Sequence, residues 1–321
     1  MIEIDAAELL AASRTAFERS DGANALEQLG YWDLLPTIDD PTCLRAVMAT
    51  FEAAGMELAS STALAGLVGL PYADVLGTPV RAAVPSSRSD GAIRHVLVGP
   101  VEDVPVLVDT PGVGTAVVPV EEVRLHELRV PGKLVLHEVV AVDGGLDVRL
   151  DDVASAPIRR RAIRLGRLAL AFEMLGAARA ALELAVEHAR TREQFGSPIG
   201  TFQAVQHLLA WAATDCEAIA GAAEHALEYP DDEAFPAGVM VKALAGRNAM
   251  AACERSLQVL GAVGFTAELD HHHFHSRVLA LDSMLGTRAE LTCSLGEEWR
   301  TDPSDRRIPA VALGYVGAEP R

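Results

Sequence analysis

The chain has 321 residues, half of them hydrophobic and 5% aromatic, a composition that supports a large core built mainly of Ala- and Leu-rich helices. Its 27 basic and 45 acidic residues give a formal net charge of −18, which excludes nucleic acid and anionic membrane as general partners; an anionic ligand would need a local cationic pocket. The four cysteines (Cys43, Cys216, Cys253, Cys293) are scattered without a CxxC pair, and no signal-like leader or membrane-length apolar run is present, so the expectation is a cytoplasmic protein.

Residues 1–77 read as short helices. Residues 6–17 place Leu9, Leu10 and Phe17 on one face, and residues 43–67 give a further helix broken near Gly55. Nothing in this region has chemical spacing. The pattern then changes over residues 78–155. Val96-Leu97-Val98, Pro105-Val106-Leu107-Val108, Thr115-Ala116-Val117-Val118, Val123-Arg124-Leu125-His126 and Lys133-Leu134-Val135-Leu136-His137 are short β-rich runs. Turn dipeptides such as Gly99-Pro100, Pro111-Gly112, Pro131-Gly132 and Gly144-Gly145 separate them, as in a small barrel or sandwich.

Residues 156–300 return to helical periodicity. Helices are expected over 162–189, 201–227, 234–260, 269–283 and 289–299, joined by short turns, and a tail over 301–321 is expected to lie extended on the surface. The expected fold class is therefore α+β multidomain and mainly α: N-terminal helices, a small middle β-barrel or sandwich, and a C-terminal four-helix bundle.

Four features of the bundle have residues suited to chemistry. The stretch Thr191-Arg192-Glu193-Gln194-Phe195-Gly196-Ser197-Pro198-Ile199-Gly200-Thr201-Phe202-Gln203 joins two helices, with glycines and proline to shape the corner and Thr201 placed to cap the next helix. By itself it reads as a helix–helix turn. Gln258-Val259-Leu260-Gly261-Ala262-Val263-Gly264-Phe265-Thr266 offers small residues for close backbone approach, or a plain glycine stop to the helix. Arg160, Arg164 and Arg167 fall on one helical face near a helix start, where cations oppose the macrodipole, which suggests an anionic partner or a solvated face. His271-His272-His273-Phe274-His275, like the strand histidines His95, His126 and His137, lacks a carboxylate or thiolate at ligand spacing, so no metal site is expected.

The run from Arg192 through Gln206-His207 resembles the signature of the acyl-CoA dehydrogenase family. Gln258-Val259-Leu260-Gly261-Ala262-Val263-Gly264-Phe265-Thr266-Ala267-Glu268 resembles that family's second signature, and the order of helices, β region and bundle matches its architecture. The close match spans roughly residues 163–286. The resemblance implies FAD and removal of two hydrogens α,β to an acyl-CoA thioester, with an electron-transfer acceptor protein downstream. A carboxylate would take the α-proton and the flavin would accept a hydride from the β-carbon.

Carried over position by position, the resemblance assigns FAD contacts to Arg192, Phe195, Gln203, Gln258, Gly261 and Ala262, reaching a flavin held mainly by a neighbouring subunit. Ala262 stands where a second glycine is usual. The catalytic carboxylate is another matter. Its late position falls on Leu285, in Ser283-Met284-Leu285-Gly286-Thr287, and its early position on Gly166; neither can abstract a proton. The family's flavin- and substrate-binding stretch in the β region is also replaced, by Gly77-Thr78-Pro79-Val80-Arg81 and Ser86-Ser87-Arg88-Ser89-Asp90-Gly91.

This asymmetry leads to the expectation of an auxiliary subunit, acting with a longer acyl-CoA dehydrogenase subunit in a heterotetramer of the kind found in actinobacterial steroid side-chain degradation. Two alternatives stay open. One is a self-sufficient homo-oligomer with a relocated base, for which Asp282 and Glu290 flank the vacant position and Glu173 stands further behind. The other is a non-catalytic scaffold without flavin. The acyl group, fatty or steroid, is not legible in the sequence.

Overall fold

Helix formation in the first third follows apolar spacing and capping. The structure, a computed structural model, describes residues 6–143, 148–228 and 236–301. Here α1 (Ala6–Arg19), α2 (Gly22–Gln28) and α3 (Tyr31–Leu34) lead into α4 (Pro41–Met56) and α5 (Ala63–Leu76). The Asp40 carboxylate caps α4 by accepting from the backbone N–H groups of Thr42 (2.8 Å) and Cys43 (3.3 Å), and Pro41 takes the first helical position, where an N–H is dispensable. The single broken helix expected over 43–67 is two helices. They separate near Gly55, as expected, directly after Met56, where Leu58 adopts a left-handed φ of 52°.

Gly55 itself serves a helix crossing. The central helix α6 (Asp152–Thr191) runs for 40 residues, and a Cβ on Gly55 of α4 would collide with the Glu173 carbonyl oxygen of α6. The relation is reciprocal: a Cβ on Gly176 of α6 would collide with the Glu52 carbonyl oxygen of α4. Glycine at both positions lets the two backbones touch. α6 begins at Asp152 rather than at 162, because the Asp151 carboxylate accepts from the Ala154 N–H at 2.8 Å and caps it there. Pro157 reads as a boundary in the sequence, yet the helix continues through it with the loss of one backbone hydrogen bond.

The middle region is a curled seven-stranded sheet: β1 (Arg81–Ser87), β2 (Ile93–Val98), β3 (Val106–Thr110), β4 (Gly114–Val118), β5 (Val123–Arg129), β6 (Val135–Val142) and β7 (Val148–Leu150). Its order is β5-β6-β2-β1-β3-β4-β7, antiparallel throughout except for the parallel β1–β3 pair. The central strands are buried on both faces. Ala82, Val84, Val96, Val98 and Leu107 join the main core, while Ala83, Leu97, Val106, Val108 and Ala116 form a second cluster inside the sheet. That double burial explains the unbroken apolar runs in the sequence. β1 and β7 were not apparent there, since β1 carries Pro85 and small residues and β7 is only three residues long. The Gly144-Gly145 turn lies outside the described residues.

The bundle comprises α6 with α7 (Gln203–Glu228), α8 (Ala237–Leu260) and α9 (His271–Asp282); α10 (Arg288–Thr301) packs on α8. Apart from the ten-residue earlier start of α6, these helices match the expected ones, with shifts of a few residues at their ends. The tail expected to lie extended falls, beyond Thr301, outside the described residues.

Arg277 of α9 connects all three regions. It is 1% exposed, and its Nε donates to Glu173 Oε1 of α6 at 2.8 Å. Its terminal nitrogens donate to the Gly132 carbonyl, between β5 and β6, at 3.2 Å and to the Ala59 carbonyl, between α4 and α5. Arg277→Met would leave the buried Glu173 carboxylate without its cation. Urea denaturation is expected to show a loss of roughly 3–5 kcal/mol, against a smaller loss for Glu173→Gln, which keeps a hydrogen-bond acceptor. Gly176→Ala would drive α4 and α6 apart, with an expected loss of about 1–3 kcal/mol in the same assay.

Candidate functional site

The corner that joins α6 to α7 is a β-hairpin and not a plain helical turn. β8 (Glu193–Gln194) pairs with β9 (Ser197–Pro198), and the two residues between them, Phe195 and Gly196, both have positive φ (54° and 80°). Two consecutive positive φ values define the tight primed turn that suits the twist of paired strands. Glycine accepts this conformation freely, whereas for phenylalanine it is strained by about 1 kcal/mol. The strained ring is also displayed: Phe195 is 94% exposed, in edge contact with Phe202 at 6.1 Å between ring centroids. A 3₁₀ turn over Ile199–Thr201 follows, in which the Thr201 hydroxyl donates to the Pro198 carbonyl at 2.7 Å. Thr201 therefore closes this turn and does not cap α7, as its position in the sequence suggests.

The second motif meets the corner at the same end of the molecule. Ala185 and Ala189 of α6 and Val259 and Leu260 of α8 form an apolar cluster, onto which Ile199 of the corner and Val263 of the second motif pack. α8 stops at Leu260 because Gly261 turns positive (φ 63°), and the peptide there is open, with no atom within 4 Å of the place a Cβ would take. Arg192, Phe195, Gln203, Gln258, Gly261 and Ala262 are all exposed. No described carboxylate forms an ion pair with Arg192. An exposed guanidinium, a projecting ring and an open glycine peptide fit a flavin dinucleotide's pyrophosphate and ring systems approaching from outside the chain.

The two positions that lack a carboxylate face each other. A Cβ on Gly166 would lie 2.5 Å from Leu285 Cδ1 and 2.8 Å from Val68 Cγ2, so the Leu285 side chain occupies the space above Gly166. Leu285 is buried and left-handed (φ 55°). Its turn is stitched to the sheet: Leu285 N–H donates to the Pro85 carbonyl at 2.8 Å, and Ser87 N–H to the Ser283 carbonyl at 2.8 Å. Arg167 Nε donates to the Leu285 carbonyl at 3.0 Å. A cavity of about 200 Å³ remains beside this plug, bordered by Ser87, Ile93, Ile163, Arg167 and Glu290.

The flanking carboxylates hold the turn. Asp282 is buried and accepts at 3.0 Å from both the backbone N–H and a guanidinium nitrogen of Arg288. Lys242, wholly buried in α8, donates to the carbonyls of Asp282 (3.2 Å) and Gly286 (3.3 Å). Burial, partly offset by Asp282, pulls the Lys242 ammonium down to about 8. Nothing in the sequence around Lys242 marks it as the support of this turn; that role depends on a loop forty residues away. Glu290 makes a capping box with Thr287 (Thr287 N–H to Oε2 at 2.8 Å, Glu290 N–H to Thr287 Oγ1 at 3.2 Å) and accepts from Ser87 Oγ at 3.0 Å. The Thr287 backbone hydrogen bond leads in holding Glu290 below the usual glutamate range, which makes it a weak base. Glu173 is committed to Arg277.

The arginine row does not converge on one ligand. Arg159 pairs with Asp109 and Asp152, Arg161 with Asp39, and Arg164 donates to the Ala226 carbonyl. The histidine run is equally dispersed: His271 Nε2 meets the Cys253 carbonyl at 2.9 Å, and among the described residues no group of three metal-ligating side chains occurs. No helix among them is long and apolar enough to cross a membrane.

Residues 157–296 match the family model for the acyl-CoA dehydrogenase C-terminal domain. The chain is 34% identical, over 48% of its length and 23% of the relative's, to acyl-CoA dehydrogenase FadE34 of Mycobacterium tuberculosis. The chain spans less than half the length of the first curated relatives it matches. In solved structures, the Tcur3481–Tcur3483 steroid ACAD superposes with a TM-score of 0.71 at 19% identity, covering 92% of this chain and 99% of that one. The ChsE4–ChsE5 complex of Mycobacterium tuberculosis gives 0.65 at 21% identity, covering 93% and 98%. The helices, curled sheet and bundle have the acyl-CoA dehydrogenase fold, and residues 157–296 are similar to the C-terminal domain of the acyl-CoA dehydrogenase family, whose members are FAD-dependent flavoproteins.

Proposed function

We propose that this chain is an auxiliary subunit of a heteromeric acyl-CoA dehydrogenase, whose exposed corner completes the FAD site of a longer catalytic partner. The observation that carries the reading is the apolar plug: Leu285 rests on Gly166 where a catalytic carboxylate would have to stand. The motif residues, by contrast, face outward on one end of the molecule. A chain that keeps the outward contacts and fills its own base position with leucine is suited to serve another subunit's chemistry. The ChsE4–ChsE5 neighbour, a complex of two components, supports such an assembly, and the steroid ACAD neighbour supports a steroid or fatty acyl-CoA thioester as substrate.

When bound, the flavin supplies hydride acceptance from the β-carbon. This chain's part is to bind and orient. The Arg192 guanidinium would hold the pyrophosphate with its fork of donors, and the exposed Phe195 ring would offer the cofactor an apolar contact. Gly261 and Ala262 allow the backbone to approach it closely. The partner supplies the carboxylate that takes the α-proton, and the electrons leave to an electron-transfer acceptor protein.

One observation favours the self-sufficient alternative: Glu290 borders the cavity of about 200 Å³ beside Arg167. Its cap and Ser87 bonds make it a poor base. If the auxiliary reading holds, Glu290→Gln in the reconstituted complex leaves kcat within about twofold and, because the amide oxygen can still accept from Thr287 N–H, changes stability by less than about 1 kcal/mol. A loss of three or more orders of magnitude in kcat would instead identify Glu290 as the base.

The chain purified alone is expected to be colourless and inactive on acyl-CoA, and co-expression with a longer acyl-CoA dehydrogenase should give a yellow, active complex. A flavin-loaded, active homo-oligomer would overturn the proposal. Within the complex, Arg192→Ala should weaken flavin retention roughly tenfold to a hundredfold, read by fluorescence of released FAD. Phe195→Gly separates function from folding: it relieves the left-handed strain, so stability should stay within about 1 kcal/mol while flavin retention falls.

A further inference from the structure

A pocket of about 440 Å³ opens on the side of α5 turned away from the Leu285 plug. Val68 of this helix faces Gly166, whereas Gly66, Leu70 and Ala73, about half a turn round from it, line the pocket. The opposite wall is built by Trp32 of α3, by Leu35 and Pro36 of the 3₁₀ turn Leu35–Thr37, and by Val80 and Arg81 at the entry to β1. A Cβ on Gly66 would lie 2.5 Å from Trp32 Cζ3, so glycine is what lets the indole lie against α5.

The one cation in these walls is held firmly. Arg81 Nε donates to Glu102 Oε2 at 2.6 Å, and Glu102 Oε1 accepts from the Thr62 hydroxyl at 2.9 Å. The guanidinium carbon lies 4.2 Å from the centre of the Trp32 ring, which itself meets the edge of buried Tyr31 at 5.1 Å. One edge and one face of the guanidinium are therefore committed. Its side chain is only 17% exposed, yet no described group accepts a hydrogen bond from its two terminal nitrogens. A guanidinium so largely out of water gains most from an acceptor that meets this open fork.

We infer that this pocket binds a small monocarboxylate with an apolar body. The Arg81 fork takes the carboxylate through both terminal nitrogens, and the apolar part lies along Leu35, Leu70 and Val80. At about 30 Å³ for each water-sized group, the pocket has room for roughly fifteen non-hydrogen atoms. The acidic residues set the charge of the ligand. Glu102 already offsets part of the Arg81 charge, and Asp74, exposed in the pocket lining, repels a second carboxylate or a phosphate dianion. In a chain of net charge −18 an anion needs a local cation to draw it in, and Arg81 supplies one. These residues belong neither to the corner nor to the plug, so the inference does not depend on the flavin reading.

Isothermal titration calorimetry of the full chain with octanoate tests this. Octanoate should bind saturably at a single site. Octan-1-ol, which lacks the carboxylate, and suberate, which adds a second, should each bind at least about tenfold more weakly. Arg81→Lys keeps the charge but loses the fork, and should weaken octanoate roughly tenfold. Ala73→Phe fills the pocket from a half-buried position on α5 and should abolish binding while the circular dichroism spectrum stays that of the parent chain. It keeps the test decisive if Arg81→Lys fails to fold. Asp74→Asn should narrow the gap between suberate and octanoate. A parent chain that does not bind octanoate would overturn the inference, as would octan-1-ol binding as tightly as octanoate. So would Arg81→Lys and Ala73→Phe chains that both bind octanoate like the parent, which would place it in another recess.

Discussion

The buried pair of Arg277 and Glu173 is the interaction on which the relative placing of helices, sheet and bundle depends. A guanidinium taken out of water needs partners for its nitrogens, and each of the three of Arg277 has one, in a carboxylate from α6 and two backbone carbonyls from loops distant in sequence. Each of those partners belongs to a different region of the fold. The pair therefore acts less as a source of net stability than as a constraint on geometry: any shift of sheet against bundle leaves charge buried and unpaired. The reciprocal glycine contact of α4 and α6 works toward the same end by bringing a first-third helix onto the bundle's longest one, right beside Glu173.

Two strained residues show how the same backbone conformation serves opposite purposes. Phe195 and Leu285 are both left-handed without being glycine, and each is held there by its surroundings. At Phe195 a two-residue hairpin turn pushes the ring into solvent, where only a partner or a ligand can use it. At Leu285 the turn is tied to β1, Arg167 and Lys242, and the side chain is pressed into the core above Gly166. One site is opened outward and the other closed from within. Together they motivate the proposed role beside another subunit.

Much of the fold was legible because local rules carried it. The apolar spacing of α6, α7 and α8 is helical, and the Gly- and Pro-bounded runs of the sheet are those of short strands, so the class and the order of regions follow from the sequence. The errors are equally physical. A capping aspartate at 151 outweighs Pro157 as the start of α6, and β1 is a strand by pairing with β2 and β3 and not by its own propensity. Thr201 has the right residue type for a cap, but the 3₁₀ turn claims its hydroxyl first.

For the candidate site, the sequence by itself determined which residue types are present and which are missing: the two motifs, the leucine at 285 and the glycine at 166. These are one-dimensional facts, and no packing can add a carboxylate. Only the tertiary structure decided that the two vacant positions touch, that Asp282 is locked by Arg288 and Lys242, and that Glu290 caps its own helix. It also dispersed the arginines and histidines, whose runs in sequence suggested shared ligands, onto separate carboxylates and carbonyls. The stretch at 191–203 shows the division well. Its composition announces a corner, but the outward direction of Phe195 follows from hairpin pairing between residues on either side of it, and its neighbourhood with Gly261 from an apolar cluster drawn from three helices and the turns beside them. Burial and pairing are relations between distant residues, so they appear only when the chain is folded.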